Sequence, residues 1–151
     1  MSILLNENKK RLEFDITGYE FPDIRKLNND HDANWLAVTF SYQDENLSFK
    51  KADNCLLTYE IEEIIHALEK ILAGEETGCI LTFLEPWLTI SVTKTHDEYA
   101  FQFRYVYDTA DDVWKEIYIC QSMSSQDLHD LYQHFKAYLD KYPLRKAVKK
   151  S

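Results

Sequence analysis

Apolar and polar residues alternate along the first third of the chain, which is the pattern of strands with one buried face. The segment "RLEFDIT" places Leu12, Phe14 and Ile16 on one face, and "NWLAVTFSY" repeats the alternation. A loop of about fifteen residues, which contains Pro22, separates these two segments. The turn "QDEN" then leads into a short third segment, "LSFK". The pattern therefore predicts three strands before residue 52.

At Thr58 the pattern changes to that of an amphipathic helix. Its apolar stripe recurs every three or four residues and consists of Ile61, Ile64, Ile65, Leu68, Ile71 and Leu72. Thr58 is predicted as the N-cap, because a threonine hydroxyl can accept a hydrogen bond from the first turn. Gly74 stands just past the predicted end, where helices commonly place a left-handed glycine.

Four further strand-like segments follow this helix: "CILTFL", "WLTISVTK", "YAFQFRYVY" and "VWKEIYIC". The connections between them are too short for a parallel crossover, so they are predicted to be antiparallel neighbours. A second helix is predicted to begin after Ser124, with Asp127 completing a capping box. Pro143 marks its predicted end.

The predicted order is β-β-β-α-β-β-β-β-α, which is typical of the α+β class. We expect a mainly antiparallel sheet of six to seven strands with two amphipathic helices packed on it. The length of 151 residues suits one domain. We predict a single domain over residues 1–143 and a short basic C-terminal tail over residues 144–151.

The formal net charge of −9 is distributed unevenly along the chain. Residues 1–140 contain 12 basic and 26 acidic side chains, whereas residues 141–151 contain five basic and no acidic ones. Because an acidic body repels nucleic acid and anionic lipid, we expect neither as a partner. The basic tail could bind either one, but we expect it to be solvated.

The cysteines and the lack of long apolar runs indicate the cellular location of the protein. Cys55, Cys79 and Cys120 are odd in number and far apart, without a CxxC pair, which favours reduced thiols in a cytoplasmic protein. No apolar run approaches the ~20 residues that a membrane-spanning helix needs. The N-terminus also lacks the basic-then-apolar order of a secretory signal. We therefore predict a cytoplasmic location and no membrane partner.

The segment "NNDHDANW" gathers Asp30, His31 and Asp32 between two predicted strands. Asn and Asp favour loops because their side chains bond to nearby backbone. The same residues could instead form a partner-binding surface or the metal site of a hydrolase. No catalytic, nucleotide-binding or metal motif accompanies them. We therefore predict a protein that is not an enzyme and uses no metal or cofactor, with a metal-dependent hydrolase as the alternative.

The turn "DTADD" between the last two predicted strands combines charge with aromatic neighbours. Asp108, Asp111 and Asp112 lie close in sequence to Tyr107 and Trp114. Acidic side chains beside aromatic anchors suit a binding face for a basic protein, although a solvated turn is the other interpretation.

The strand "YAFQFRYVY" carries its aromatic side chains on one face. We predict that this face belongs to the core. The alternative is that part of the face is exposed, as in a small-ligand-binding or regulatory module.

Four segments, "GYEFP", "DANWL", "CLLTYEI" and "LTFLEPWL", occur in an order and at spacings that resemble the WapI-type immunity proteins of bacterial polymorphic toxin systems. The resemblance runs from about Phe14 to Pro143 and closes with "KYPLR". The sequence departs from the expected pattern at Asn54, where we expect proline, and at Trp87, where we expect asparagine.

The resemblance implies a small cytoplasmic protein, encoded beside a secreted toxin, that binds the C-terminal domain of that toxin, commonly a nuclease. Such an inhibitor needs complementary shape and charge but no chemistry. We predict an immunity protein that neutralises its cognate toxin by surface complementarity; the sequence indicates no oligomeric state. The predicted partner-binding residues are Asp108, Asp111, Asp112, Trp114, Asp30 and Asp32.

Overall fold

The computed structural model describes residues 2–148, which contain nine strands, three α-helices and two short 3-10 helices. The first sheet contains β1 (Ile3–Glu7), β2 (Lys10–Tyr19), β3 (Trp35–Gln43), β4 (Ser48–Ala52) and β5 (Leu56–Leu57). The second sheet contains β6 (Gly78–Thr82), β7 (Leu88–Thr95), β8 (Glu98–Asp108) and β9 (Lys115–Met123). The helices are α1 (Asp30–Ala33), α2 (Thr58–Leu72) and α3 (Ser125–Lys141).

The predicted α+β class with antiparallel strands is confirmed, but the strands divide between two sheets instead of forming one. In each sheet four strands are neighbours in chain order, and a long helix follows: β1-β2-β3-β4 precedes α2, and β6-β7-β8-β9 precedes α3. The additional strand β5 pairs with β3. Neither β1 nor β5 is among the predicted strands, because the sequence of β1 is an apolar cluster without alternation and β5 has only two residues.

The inner faces of the two sheets and the two long helices share one hydrophobic core. Phe40 of β3 stacks on Tyr105 of β8, with ring centroids 3.9 Å apart. The ring of Phe14 in β2 meets the rings of Phe103 in β8 and Tyr138 in α3 edge-on, with centroid distances of 5.9 Å and 6.4 Å. The apolar face predicted for each strand is therefore the face that packs against the opposite sheet and the helices.

Both predicted long helices are present, and one of the two predicted caps is wrong. Ser124 caps α3, accepting from the Asp127 N–H at 3.1 Å. Thr58, predicted as the cap of α2, is instead its first helical residue, and the N-cap position belongs to Leu57. The Thr58 hydroxyl is buried and donates to Asn34 Oδ1 at 2.6 Å, so a tertiary contact takes the place of capping. Gly74 has the predicted left-handed backbone, with φ of 77°.

The expectation that the basic C-terminal segment is solvated is wrong for Arg145 and Ala147, because both pack against the domain. Ala147 is 6% exposed, and its N–H donates to Asp30 Oδ1 at 2.7 Å. Residues 149–151 of the predicted basic tail lie outside the described residues. The domain division after residue 143 stays a prediction.

Candidate protein-binding surface

The acidic turn of residues 108–112 begins at the last residue of β8 and has an unusual backbone. Asp111 and Asp112 have φ of 59° and 58°, in the left-handed region that Asp tolerates better than most residues. The Asp108 carboxylate accepts from the Ala110 N–H at 2.9 Å and lies 3.9 Å from Lys115 Nζ. Asp111 and Asp112 are exposed. The turn thus fixes one carboxylate locally and leaves two facing solvent.

An exposed apolar cluster adjoins the acidic turn. Trp114 is 51% exposed, and its ring meets that of Trp87 edge-on, with centroids 5.2 Å apart. The Val106 N–H donates to the Trp87 carbonyl at 2.8 Å, which holds the β6–β7 connection against the end of β8. We call the tryptophan patch the contacting pair Trp87 and Trp114, together with the exposed Leu84 and Val113 that stand near them in the chain. Large apolar side chains at a rim of carboxylates are the composition of a protein-binding hot spot.

Only one member of this patch, Trp114, is among the residues predicted from sequence. Leu84 and Val113 are 62% and 58% exposed, and both stand in short connections next to apolar strands. An apolar residue in such a connection is the sequence signal that could have identified them. It is a weak signal, because many connections end on residues that enter the core.

The Asp30 and Asp32 side chains are engaged in local structure. The Asn29 carboxamide caps α1, accepting from the Asp32 N–H at 2.8 Å and donating to the Asp32 carboxylate at 3.0 Å. Asp30 accepts from the Ala147 N–H, and His31 rests edge-on against Trp35 at 5.2 Å. Among the described residues, the contact partners of Asp30 and Asp32 differ from those of the acidic turn. The structure therefore does not bring the two predicted acidic groups together.

The loop from β2 to β3 is anchored by a buried polar cluster around Asn34, which is 0% exposed. The Asn34 amide nitrogen donates to the carbonyls of Asp30 and Arg145 and to the Tyr59 hydroxyl at 2.6–2.8 Å. Its amide oxygen accepts from the Thr58 hydroxyl and the Arg145 N–H. Asn34 therefore links the loop, α2 and the C-terminal segment.

Arg145 completes this cluster. Its guanidinium donates to the carbonyls of Phe21 at 2.8 Å, Pro22 at 3.2 Å and Ala33 at 2.8 Å. It also lies 3.5 Å from the centre of the Tyr19 ring, and burial lowers the pKa of this guanidinium. The segments "GYEFP", "DANWL", "CLLTYEI" and "KYPLR" meet at these contacts. Polar residues of the signature segments thus have a structural role here.

Three further features relate to predictions made from the sequence. Tyr99, Phe101, Phe103 and Tyr105 of β8 are 0–6% exposed, which confirms their predicted core role. Tyr107, which stands at a register shift between β8 and β9, is only partly buried. Among residues 2–148, no three His, Cys, Asp or Glu side chains are arranged so that they could hold a metal ion. No helix in that range is long and apolar enough to cross a membrane.

Two solved structures are similar to this chain in fold. The crystal structure of WHY3 from Arabidopsis thaliana has a TM-score of 0.52 and 14% identity, over 92% of this chain and 86% of that chain. The crystal structure of WHY1 from Arabidopsis thaliana has a TM-score of 0.52 and 16% identity, over 92% of this chain and 88% of that chain. At such low identity the similarity concerns the fold alone. No curated protein matches the chain.

The family model of the WapI-like immunity proteins matches residues 3–143, which is nearly the whole chain. The matched range includes all nine strands, all three helices and the Asn34 side of the buried polar cluster. The chain therefore belongs to the immunity protein WapI-like family.

Proposed function

We propose that this protein is a cytoplasmic immunity protein that neutralises the C-terminal domain of a cognate polymorphic toxin by binding it. The observation that carries the proposal is the position of the tryptophan patch beside the acidic turn in a member of an immunity protein family. The protein would act by covering or distorting the toxin, with no catalytic step of its own.

The charge of the protein favours a basic toxin domain, such as a nuclease. A net charge of −9 attracts a basic partner over a distance of about one Debye length, ~8–10 Å at physiological salt. Asp111 and Asp112 are the exposed carboxylates nearest in sequence to the patch, so they would steer the partner towards it. Asp108 would contribute charge from the base of the same turn.

The tryptophan patch would supply most of the binding free energy. Trp and other large side chains at the centre of an interface commonly cost 2 kcal/mol or more when truncated. Trp114 is positioned by its edge-on contact with Trp87, so its ring would lose little conformational entropy on binding. We retain Asp30 and Asp32 as proposed contacts of a second, peripheral region.

Titration against the toxin tests the proposal. The probe is the purified C-terminal domain of the protein encoded in the adjacent reading frame. We expect inhibition of its toxic activity to be complete at a 1:1 molar ratio and a stable complex to elute in size-exclusion chromatography. An unrelated acidic protein of equal net charge is the control.

Two outcomes would contradict the proposal. Relief of toxicity by a small fraction of an equivalent would mean that the protein acts catalytically on the toxin or its product. Absence of both complex and inhibition would mean that the adjacent gene product is not its partner.

A further inference from the structure

Apart from the two-residue β5, the two sheets have four edge strands, and the edges of β1 and β9 face each other. Lys10 Nζ donates to the Tyr118 carbonyl at 3.0 Å, and the Cys120 N–H donates to Glu7 Oε1 at 2.9 Å. The Asn6 N–H donates to the Gln121 side chain at 2.9 Å. Backbone groups on these edges therefore find side-chain partners within the chain, which leaves them poorly suited to pair with another protein.

The edge strand β4 is protected by charge. Lys50 and Lys51 stand in the middle of this five-residue strand, and Lys51 Nζ donates to the Tyr107 carbonyl at 2.6 Å. Lysines on an edge strand discourage the approach of a further strand.

The remaining edge, β6, has neither kind of protection. Its sequence, "GCILT", contains no charge, and Ile80 is 78% exposed. The Lys94 N–H donates to the Thr77 carbonyl at 2.8 Å, just before the strand begins. Because pairing alternates along an antiparallel ladder, the N–H and C=O groups of Gly78, Ile80 and Thr82 face the open edge.

A groove of about 330 Å³ runs between this edge and α2. Gly78 and Cys79 of β6 line one side, and Ala67 lies on the helix side. The charged or titratable side chains along the groove are Glu63, His66, Lys70 and Glu76. Glu75, which is exposed, adds a further carboxylate next to Glu76.

At its other end β6 leads into the tryptophan patch, because Leu84 follows Thr82 by two residues. A strand laid along β6 would therefore run from the groove beside α2 to the surface proposed above for toxin binding.

We propose that β6 accepts an extended, basic segment of the toxin domain as a fifth strand of the second sheet. This inference rests on the proposed function and names the way in which the partner is held. Main-chain hydrogen bonds to Gly78, Ile80 and Thr82 would supply register-specific pairing. Basic side chains of the added strand would face Glu63, Glu75 and Glu76.

Charge favours the toxin over a second copy of this chain as the occupant. An antiparallel pairing of two copies centred on Ile80 would bring the Glu75–Glu76 end of each β6 near Glu85 of the other copy, in proteins that both carry −9. Like charges placed together at an interface oppose association. A basic segment meets attraction at the same positions.

Hydrogen–deuterium exchange on the unmodified protein tests this proposal, with the toxin domain of the adjacent reading frame as the probe. We expect the amides of Gly78, Ile80 and Thr82 to exchange at least about tenfold more slowly in the complex than in the free protein. The amide of Ile119, in the middle of β9, should change little because β8 already pairs with it.

Two substitutions of Ile80 distinguish the contribution of its backbone N–H to binding from that of its side chain. Ile80→Pro removes an edge N–H that has no partner within the sheet, and proline is tolerated on such edges. We expect its Kd for the toxin domain to rise about tenfold or more. Ile80→Ala, which keeps the N–H, should bind within a few-fold of the unmodified protein. Thr93→Lys tests whether charge on the same sheet face, away from the edge, has any effect.

The outcomes distinguish this inference from the proposed function. A complex in which the three amides stay unprotected would overturn strand addition and leave toxin neutralisation intact. Failure to form any complex would overturn both. Protection of the same amides in the protein alone, together with a dimer in sedimentation velocity, would assign the edge to a second copy and so overturn the toxin segment as its occupant.

Discussion

Asn34 and Arg145, 111 positions apart, hold each other through two hydrogen bonds. Asn34 Nδ2 donates to the Arg145 carbonyl at 2.8 Å, and the Arg145 N–H donates to Asn34 Oδ1 at 2.9 Å. A single buried carboxamide thus pairs with the main chain of the C-terminal segment as a neighbouring strand would. The guanidinium of Arg145 meanwhile satisfies three carbonyls of the β2–β3 loop. These contacts attach the C-terminal segment to the β2–β3 loop.

Replacing Asn34 should destabilise the protein more than any exposed polar substitution. Asn34→Ala would leave buried groups of Thr58 and Arg145 without partners, and each unsatisfied buried group costs about 1–3 kcal/mol. We expect the free energy of unfolding to fall by about 3 kcal/mol or more in urea denaturation. Asn46→Ala, at an exposed turn position, is the matched control. A loss below about 1 kcal/mol would show that water replaces the lost partners.

Neutralising the acidic turn should slow toxin association without unfolding the protein. Asn tolerates the left-handed backbone of Asp111 and Asp112, so the triple change Asp108/Asp111/Asp112→Asn preserves the turn. We expect the association rate at low salt to fall by about tenfold and its salt dependence to weaken. Stopped-flow kinetics at several ionic strengths measures both.

The control for this charge change neutralises three exposed acids elsewhere: Asp97, Asp130 and Asp140. It alters net charge equally but leaves the turn intact. Equal slowing by both triple variants would assign steering to net charge and not to the turn.

Removing the indole of Trp114 should weaken binding while leaving the fold stable. Its ring is half exposed in the free protein, so Trp114→Ala should change the free energy of unfolding by no more than about 1 kcal/mol. We expect the Kd for the toxin domain to rise about 30-fold or more, by isothermal titration calorimetry. Tyr118→Ala, at a 43% exposed site on the outer face of β9, provides a comparison. Equal losses in both variants would place the interface on the sheet face instead.

Because Tyr105 is buried, we expect the free energy of unfolding to fall at alkaline pH. Tyr105 is 0% exposed and donates to Asp53 Oδ2 at 2.7 Å, and burial followed by this hydrogen bond raises its pKa strongly. Above the unfolded pKa of about 10, the unfolded state loses the phenolic proton and the folded state keeps it. The ionisation of Tyr105 should therefore leave stability unchanged below pH ~10 and lower it above that pH by up to about 1.4 kcal/mol per pH unit.

Urea denaturation between about pH 9 and pH 11.5, a range that spans the unfolded tyrosine pKa of about 10, tests this slope. Tyr105→Phe should be less stable at neutral pH but lose stability less steeply in alkali. Ile65→Val, a core change that involves no titrating group, controls for lower stability alone. An unchanged alkaline slope in Tyr105→Phe would contradict the prediction.

The sequence by itself determined the local elements of this protein. The stripe from Ile61 to Leu72 gave α2, the alternation from Leu36 to Tyr42 gave β3, and Ser124 with Asp127 gave the start of α3. These signals are local because periodicity records which face of an element is buried, and a cap bonds within one helical turn. The antiparallel neighbours of the second sheet followed from short connections.

The tertiary structure alone decided how those elements combine. Alternation shows that a strand has a buried face, but not whether that face meets a helix or a second sheet, so the division into two sheets was not predictable. Threonine is a common N-cap residue, but the role of Thr58 depends on its hydrogen bond to Asn34, 24 positions away in the chain. Trp87 and Trp114 meet only because the connections before β7 and β9 lie at one end of the second sheet. Contacts between residues distant in the chain depend on packing, which neighbouring residues in the sequence do not encode.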